Sequence, residues 1–224
     1  MNIVYSLTRN VYEWLVPSIR SLAKHNPKAR VFILAEDDEF PHDLPIDVET
    51  INISRQKYFP DIAAHRTEAF GGYINHLKIW YSDILPVNKV IHLDIDTIVC
   101  DKLDGLWKTD VTGKWFAAVP ESQKWYRPFG DKYYNMGVAL FNLQEIRKDK
   151  MQQTMADFLL STDQPFADQN AWNKFGKAAD LDLRYNESMV TGQTDNPAIV
   201  HFCAIPDWWT NKGMRRREFL EVYR

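Results

Sequence analysis

The sequence predicts a single α/β domain built on a mixed, mainly parallel sheet flanked by helices. Three observations carry that expectation. The chain has 224 residues, of which 45% are hydrophobic, so one domain of this size buries a sizeable core without covalent staples. Short β-rich apolar runs alternate with segments of helical periodicity along the chain. The first three elements read strand, helix, strand, an order that implies a right-handed crossover and parallel pairing.

Ile3 to Tyr5 is a short β-rich run at the start. Val11 to Lys24 carries Leu15, Ile19 and Leu22 at helical spacing and closes at His25-Asn26-Pro27; Pro17 inside it predicts a first-turn position or a kink. Arg30 to Ala35 reads as a second buried strand and Val48 to Ile53 as a third. Tyr58 to Gly72 has mixed signals and contains loop. Tyr73 to Leu85 places Ile74, Leu77, Tyr81 and Ile84 on one helical stripe ended by Pro86. Lys89 to Ile95 is a strand running on into Thr97-Ile98-Val99, and Trp115 to Val119 is another. Ser122 to Tyr134 is polar and aromatic, a predicted loop. Gly137 to Leu143 is a strand, Gln144 to Leu160 a helix and Asp168 to Phe175 a short helix. Asp182 to Tyr185 and Ala198 to Phe202 read as short strands, and the tail from Gly213 to Arg224 as a basic helix. There is no repeat, low-complexity tract or linker.

Composition excludes several functions. The net charge is −3 and the pI about 6.1, so no whole-chain basic field recruits nucleic acid. Two cysteines, Cys100 and Cys203, are too few for a disulfide framework and read as reduced thiols. The N-terminus lacks the basic start and long apolar run of a signal peptide, and no stretch is long and apolar enough to span a bilayer. The expected compartment is the cytoplasm.

The chemistry centres on Asp94-Ile95-Asp96, directly behind the apolar run Val90 to Leu93. Side chains two apart on a strand share a face, so both carboxylates converge at a strand's C-terminal end, where open α/β sheets bind ligands. Two ionised carboxylates that close repel unless a cation lies between them, and oxygen ligands suit Mn²⁺ or Mg²⁺. The D-x-D pattern alone says little, because chance supplies about two per chain of this composition, and Asp180-Leu181-Asp182 is a second. Its place behind a buried strand is the informative part.

Seven segments then fall in one order: LTRNVY from Leu7, LKIW from Leu77, HLDIDTIV from His92, YYNMGVALFNL from Tyr133, DQNAWN from Asp168, LRYN from Leu183 and VHFCA from Val200. Together they resemble glycosyltransferase family 8, the retaining transferases that include glycogenin and bacterial lipopolysaccharide galactosyl- and glucosyltransferases. The resemblance covers nearly the whole chain. It implies a single-domain, GT-A-like nucleotide-sugar-binding fold over 1–224, with the nucleotide-sugar part at about 1–100, the acceptor and sugar part at about 101–212, and a basic tail at 213–224. It implies a UDP-sugar donor, a hexose transferred to a glycan or other hydroxyl acceptor, and Mn²⁺ or Mg²⁺ held by Asp94, Asp96 and His201. Leu7, Thr8, Asn10 and Tyr12 match positions that hold uridine, and an ordinary strand-to-helix turn capped by Asn10 needs the same residue types. Lys78 matches a basic position that serves the donor. Asn135 and Gly137 match the N-x-G beside the donor sugar, and Asp168 and Gln169 the D-Q pair at the sugar ring, with Asp168, Gln169 and Asn135 implied as the catalytic group.

The sequence departs from the family in three places. After the late histidine, a glycine of the family pattern is Ala204 here, and a phosphate-binding lysine is Asp207. Lys212 or the Arg215 to Arg217 run is expected to supply the missing charge by closing over the diphosphate; a solvated or membrane-facing helix is the alternative use of the tail. His92 stands where the family has an apolar or aromatic residue, on the face of Asp94, and core packing is expected for it rather than ligation. Trp125, Tyr126, Tyr133 and Tyr134 flank the polar loop and offer aromatic faces to a sugar, or plain packing. An inactive relative that binds nucleotide-sugar or glycan, and a metal-dependent nucleotidyltransferase, are the competing readings.

Overall fold

The structure is a computed structural model that describes residues 1–40, 43–58, 72–122, 129–161, 167–203 and 209–224. Most of the stretch from Tyr58 to Gly72, Trp125, Tyr126, Ala204 and Asp207 lie outside the described residues. Among those described, a seven-stranded sheet has the order β3-β2-β1-β4-β7-β6-β8. Its strands are β1 (Asn2–Ser6), β2 (Arg30–Ala35), β3 (Val48–Asn52), β4 (Lys89–Leu93), β6 (Phe116–Pro120), β7 (Tyr134–Asn142) and β8 (Ala178–Asp180). Four of its pairings are parallel, and β7 runs antiparallel to both β4 and β6. The sheet is thus mixed and mainly parallel, as expected. β5 (Thr97–Val99) and β9 (Ile199–His201) form a separate antiparallel pair.

Pleat parity builds two cores from the same strands. Val4, Phe32 and Leu34 point to one face, where they meet Trp80, Phe141 and Trp172. Ile3, Tyr5 and Ile33 point to the other and meet Leu15, Ile19 and Leu22 of the helix Tyr12–His25. A sheet covered on both faces needs continuous apolar runs, which is why Arg30 to Ala35 shows no alternation. Pro17 lies in the second turn of the helix, buried, rather than in its first turn.

Several predicted elements take another form. The Tyr73 to Leu85 helix is a 3₁₀ segment, Gly72–Trp80, followed by one α turn, Tyr81–Ile84. Tyr73, Ile74, His76, Leu77, Lys78, Ile79 and Trp80 are all buried, so no single 3.6-residue stripe describes it. The Gln144 to Leu160 helix is two helices, Leu143–Asp149 and Gln152–Leu160, separated where Lys150 adopts φ 55°; a left-handed residue ends a helix whether or not it is glycine. Asp182 to Tyr185 is not a strand: Asp182 caps a 3₁₀ turn, Leu183–Tyr185, by accepting from the Arg184 N–H. The strand at Gly137 begins earlier, at Tyr134. The helix Asp104–Lys108 and strand β8 were not legible in the pattern.

Topology gathers one edge of the sheet into a site. β1 and β4 are parallel neighbours, so Leu7 and Asp94 follow strand ends on the same edge. β7 is antiparallel to β4, so its beginning, Asn135 to Gly137, arrives at that edge too. β9 pairs His201 with Thr97, which brings the late histidine back to the turn after β4.

Candidate active site

β4 ends at Leu93, and Asp94 to Asp96 form a turn into β5. The two carboxylates therefore converge through a turn and not through strand pleating. The Thr97 hydroxyl closes that turn by donating to the Asp94 carbonyl at 2.7 Å. Asp94 N–H donates to the Gly137 carbonyl at 2.8 Å, and Phe202 N–H to the Asp96 carbonyl at 2.9 Å. Each ligand-bearing residue is thus tied by backbone to its neighbour strand.

Asp94, Asp96 and His201 each present one ligand atom, all within 4.8 Å of one another. His201 Nε2 lies 3.2 Å from Asp96 Oδ1 and 3.8 Å from Asp94 Oδ2. It is buried without a well-aligned hydrogen bond, a costly state for a ring nitrogen unless something else fills its lone pair. Gly137 lines the cluster: a Cβ there would stand 2.1 Å from His201 Cε1 and 2.8 Å from Asp94 Oδ2. Two carboxylate oxygens and one imidazole make a donor set that fits a divalent cation. Side-chain exposures of 28% and 21% leave Asp94 and Asp96 accessible to it.

Hydrogen-bond donors fix which nitrogen of His201 faces the cluster. Gly137 N–H can only donate, so the Asn135 side-chain atom 3.1 Å away is its carbonyl oxygen. Asn186 Nδ2 donates to that same oxygen at 2.9 Å, which turns Asn186 Oδ1 toward His201 Nδ1, 2.9 Å away. An amide oxygen requires Nδ1 to carry a proton, so Nε2 is the nitrogen that faces Asp94 and Asp96 and could hold a cation. Burial works against a charged His201, but the Cys203 sulfur and the Asp96 carboxylate hold its pKa well above the ordinary imidazole value. Cation binding there must displace a proton. Asn186→Leu is expected to weaken divalent-cation binding about 10- to 100-fold, the usual cost of losing an outer partner of a ligating histidine, with Asn186→Asp retaining most of it; Mn²⁺ titration of the two variants checks this.

Lys78 is buried beside Asp94 Oδ1 at 3.2 Å and Asp168 Oδ2 at 3.5 Å. Burial opposes its charge, yet those two carboxylates raise its pKa above the usual lysine value. Asp94 is likewise penalised by burial and, through Lys78, His92 and His201, driven well below the ordinary carboxylate range. Lys78 is thus a buried counter-ion of the carboxylates rather than a free surface charge.

The start of β7 and the helix Ala167–Phe175 form the opposite wall. Asn135 is buried, with its oxygen engaged as above and its Nδ2 donating to Glu121 Oε1 at 3.1 Å. Gln169 Oε1 accepts from Met136 N–H at 3.0 Å, and its Nε2 donates to the same Glu121 oxygen at 3.0 Å. Asn135 is therefore a hub of the wall, and Glu121, which the sequence pattern did not single out, joins it to Gln169. Tyr133 is buried and donates to Asn170 at 2.7 Å, and Tyr134 sits in β7 with its hydroxyl on Asp180 at 2.7 Å. Both pack against the core, the second of the two uses the sequence left open for them.

Leu7 is buried beyond β1, Thr8 stands more exposed just before a 3₁₀ turn, Arg9–Val11, and Asn10 lies exposed within it. Thr8 donates to Asn10 Oδ1, and the following helix begins after Val11 without a side-chain cap, so Asn10 does not cap it. Tyr12 is buried and donates to Asp37 at 2.8 Å, while Arg9 pairs with Asp37 through both Nε and Nη2. Asp37 follows β2 and was also missed. Ile95 lies partly buried at the centre of the Asp94–Asp96 turn, against the core that holds Tyr12.

The basic tail is docked onto its own protein. Arg215 and Arg216 pair with the fully buried Glu187, Arg216 also donates to the Thr194 carbonyl at 2.7 Å, and Arg217 pairs with Glu221. Only a short helix forms, Arg217–Glu221, with Met214 and Leu220 packed on Ile98, Val200 and Phe202. The expectation that these arginines are available to a diphosphate does not match this arrangement; Lys212 remains exposed.

Comparison with known proteins agrees with this architecture. The model of the family described as "Glycosyl transferase family 8" matches residues 2–212. Glycosyltransferase GlyA of Streptococcus pneumoniae is 26% identical, over 99% of this chain and 34% of its own length. GlyD of the same organism is 22% identical, over 96% of this chain and 29% of its own. The chain thus spans about a third of the length of these curated relatives. Among solved structures, an active-site mutant of LgtC superposes with a TM-score of 0.78 at 19% identity, covering 100% of this chain and 95% of that one. LgtC in complex with donor and acceptor sugar analogs gives 0.75 at 20% identity over the same shares.

Proposed function

The chain belongs to glycosyltransferase family 8, and from that premise we propose that it transfers a hexose from a UDP-sugar, with retention, to a hydroxyl of a carbohydrate acceptor. The observation that carries this reading is the convergence of Asp94, Asp96 and Nε2 of His201 on one point at the sheet edge. Once His201 has given up its proton, the cluster holds three carboxylates, Asp94, Asp96 and Asp168, against the ammonium of Lys78, an excess of two negative charges that a divalent cation balances. A bound Mn²⁺ or Mg²⁺ supplies Lewis-acid stabilisation of the departing diphosphate without proton transfer. Two outer contacts hold its ligands: Asn186 orients His201, and Lys78 holds Asp94. Leu7, Thr8, Asn10 and Tyr12, beyond the neighbouring strand end, receive uridine, with Arg9 and Asp37 bracing that loop. Asn135, Gly137, Asp168 and Gln169 line the sugar side, and the segment of about 101–212 receives the acceptor. LgtC, of the same fold, has been solved with donor and acceptor sugar analogs, which supports this choice of partners.

At the sugar, Asp168 lies against buried Lys78, Glu121 Oε1 accepts from two amides and Gln169 is held by the Met136 N–H, so this wall serves to orient the donor and exclude water. Among the described residues no helix is long and apolar enough to cross a membrane.

Incubation with a panel of UDP-sugars and Mn²⁺, scored by free UDP, tests the proposal. One sugar should give release above the rest, faster with an acceptor; binding without release would favour the inactive relative. In a thermal-shift series with Mn²⁺, UDP should stabilise above GDP, ADP and CDP, by about 2.7 kcal/mol at 100 times its Kd. Equal shifts from all four would remove the uridine assignment.

A further inference from the structure

The buried histidine on β4 is unused by the mechanism above. His92 is 1% exposed on β4, and its Nε2 lies 2.8 Å from Asp94 Oδ1. Its Nδ1 lies 2.9 Å from the Tyr81 hydroxyl, which is 3.0 Å from Ser6 Oγ. A carboxylate oxygen only accepts, so Nε2 carries the proton; Nδ1 then accepts from Tyr81, and Tyr81 from Ser6. The row is therefore directed from the end of β1 to Asp94, and all three donors are buried.

Its consequence lies in how the two oxygens of Asp94 are divided. Oδ1 takes both His92 at 2.8 Å and Lys78 at 3.2 Å. Oδ2 takes neither; it faces His201 Nε2 and the open side of Gly137. We propose that His92 is a positioning residue that locks the Asp94 carboxylate so that Oδ2 alone is presented as a single-oxygen ligand. This rests on the metal reading of the site and extends it to a residue outside the ligand set. Lys78 alone does not suffice, because its ammonium is shared with Asp168 and a point charge sets no plane for the carboxylate. The imidazole, held at both nitrogens, does set one. The same side chain thus satisfies the expectation of core packing and acts on the site.

The test is calorimetric titration of Mn²⁺ into metal-free protein, with melting temperature measured in parallel. His92→Phe removes the donor at similar volume and should weaken Mn²⁺ binding about 10- to 100-fold. His92→Gln places an amide N–H where Nε2 stood and should recover most of that loss. Tyr81→Phe leaves the His92 donor present but unbraced, and should cost a few-fold alone and nothing further in the His92→Phe background, as for members of one network. A folded His92→Phe protein with Mn²⁺ affinity within twofold of the parent would overturn the proposal; so would equal loss in His92→Gln and His92→Phe. If His92→Phe does not fold, the His92→Gln and Tyr81→Phe values decide in the same way. A parent that binds no Mn²⁺ would overturn the metal reading itself, a different result from a parent that binds and variants that do not differ.

Discussion

Asp96→Asn should lower UDP release at saturating Mn²⁺ by at least about 100-fold while the melting temperature barely moves. The amide keeps the volume and one oxygen but loses the charge that draws a cation into the cluster, and losing a direct ligand costs more than the 10- to 100-fold typical of an outer contact. The stability forecast follows from what Asp96 touches. Its ion pairing is to His201, which can shed a proton when the carboxylate goes. Asp94→Asn should abolish turnover equally but at higher structural cost. Lys78 is buried between Asp94 and Asp168, so neutralising Asp94 leaves a buried ammonium with one carboxylate, a loss of several kcal/mol at most and about 1–3 kcal/mol where solvent reaches in. The two variants thus separate chemistry from folding: equal loss of activity, unequal loss of stability. Near-parent turnover in either, with Mn²⁺ saturating, would rule out the ligand assignment.

The site was legible in the sequence only where its logic is local. Asp94 and Asp96 announce themselves because a carboxylate pair directly behind a buried apolar run marks a strand end. Even there the means differed, since a turn and not the pleat brings them together. His201 carries no local signal; it reaches the cluster through the β5–β9 register, and only the family resemblance pointed to it. Glu121 and Asp37 were invisible for the same reason, and Asn186, although it closes the LRYN segment of the resemblance, had no role assigned to it. Asn186 works through Asn135, 51 residues away, and Glu121 through Gln169, 48 residues away. A polar residue in a loop reads alike whether it faces solvent or braces a ligand. The sheet was easier, because buried strands need unbroken apolar runs. The segment Gly72–Trp80 and the break at Lys150 were not, because burial on all sides and a non-glycine left-handed residue leave no periodic trace. The tail misled for an electrostatic reason: three adjacent arginines look available until the buried carboxylate of Glu187 is placed beneath two of them.

Gly137→Ala should eliminate activity through a single methyl group. Gly137 is not among the glycines with positive φ, so its backbone would accept any residue, and in a strand interior alanine is ordinarily the better tolerated of the two. The objection is steric. The added Cβ would stand 2.1 Å from His201 Cε1, 2.7 Å from Nε2 and 2.8 Å from Asp94 Oδ2, all far inside van der Waals contact. The ring cannot simply retreat: its Nδ1 is held by Asn186, and β9 is paired along its length with β5. Nor can the start of β7 yield freely, since Gly137 binds Asp94 N–H through its carbonyl and Asn135 through its own N–H. Overpacking of this kind costs about 1–3 kcal/mol, and whichever group moves, the ligand atoms lose their common focus. Mn²⁺ affinity and UDP release should both fall by about 100-fold or more, since a displaced ligand is worse than a missing outer contact. Combining the change with His201→Ala identifies the cause. Without the imidazole the nearest clash disappears, so most of the stability cost of Gly137→Ala should vanish in that background while activity stays absent. A Gly137→Ala protein that binds Mn²⁺ like the parent would mean that the cation sits elsewhere, and an undiminished stability cost in the His201→Ala background would assign the strain to Asp94 instead.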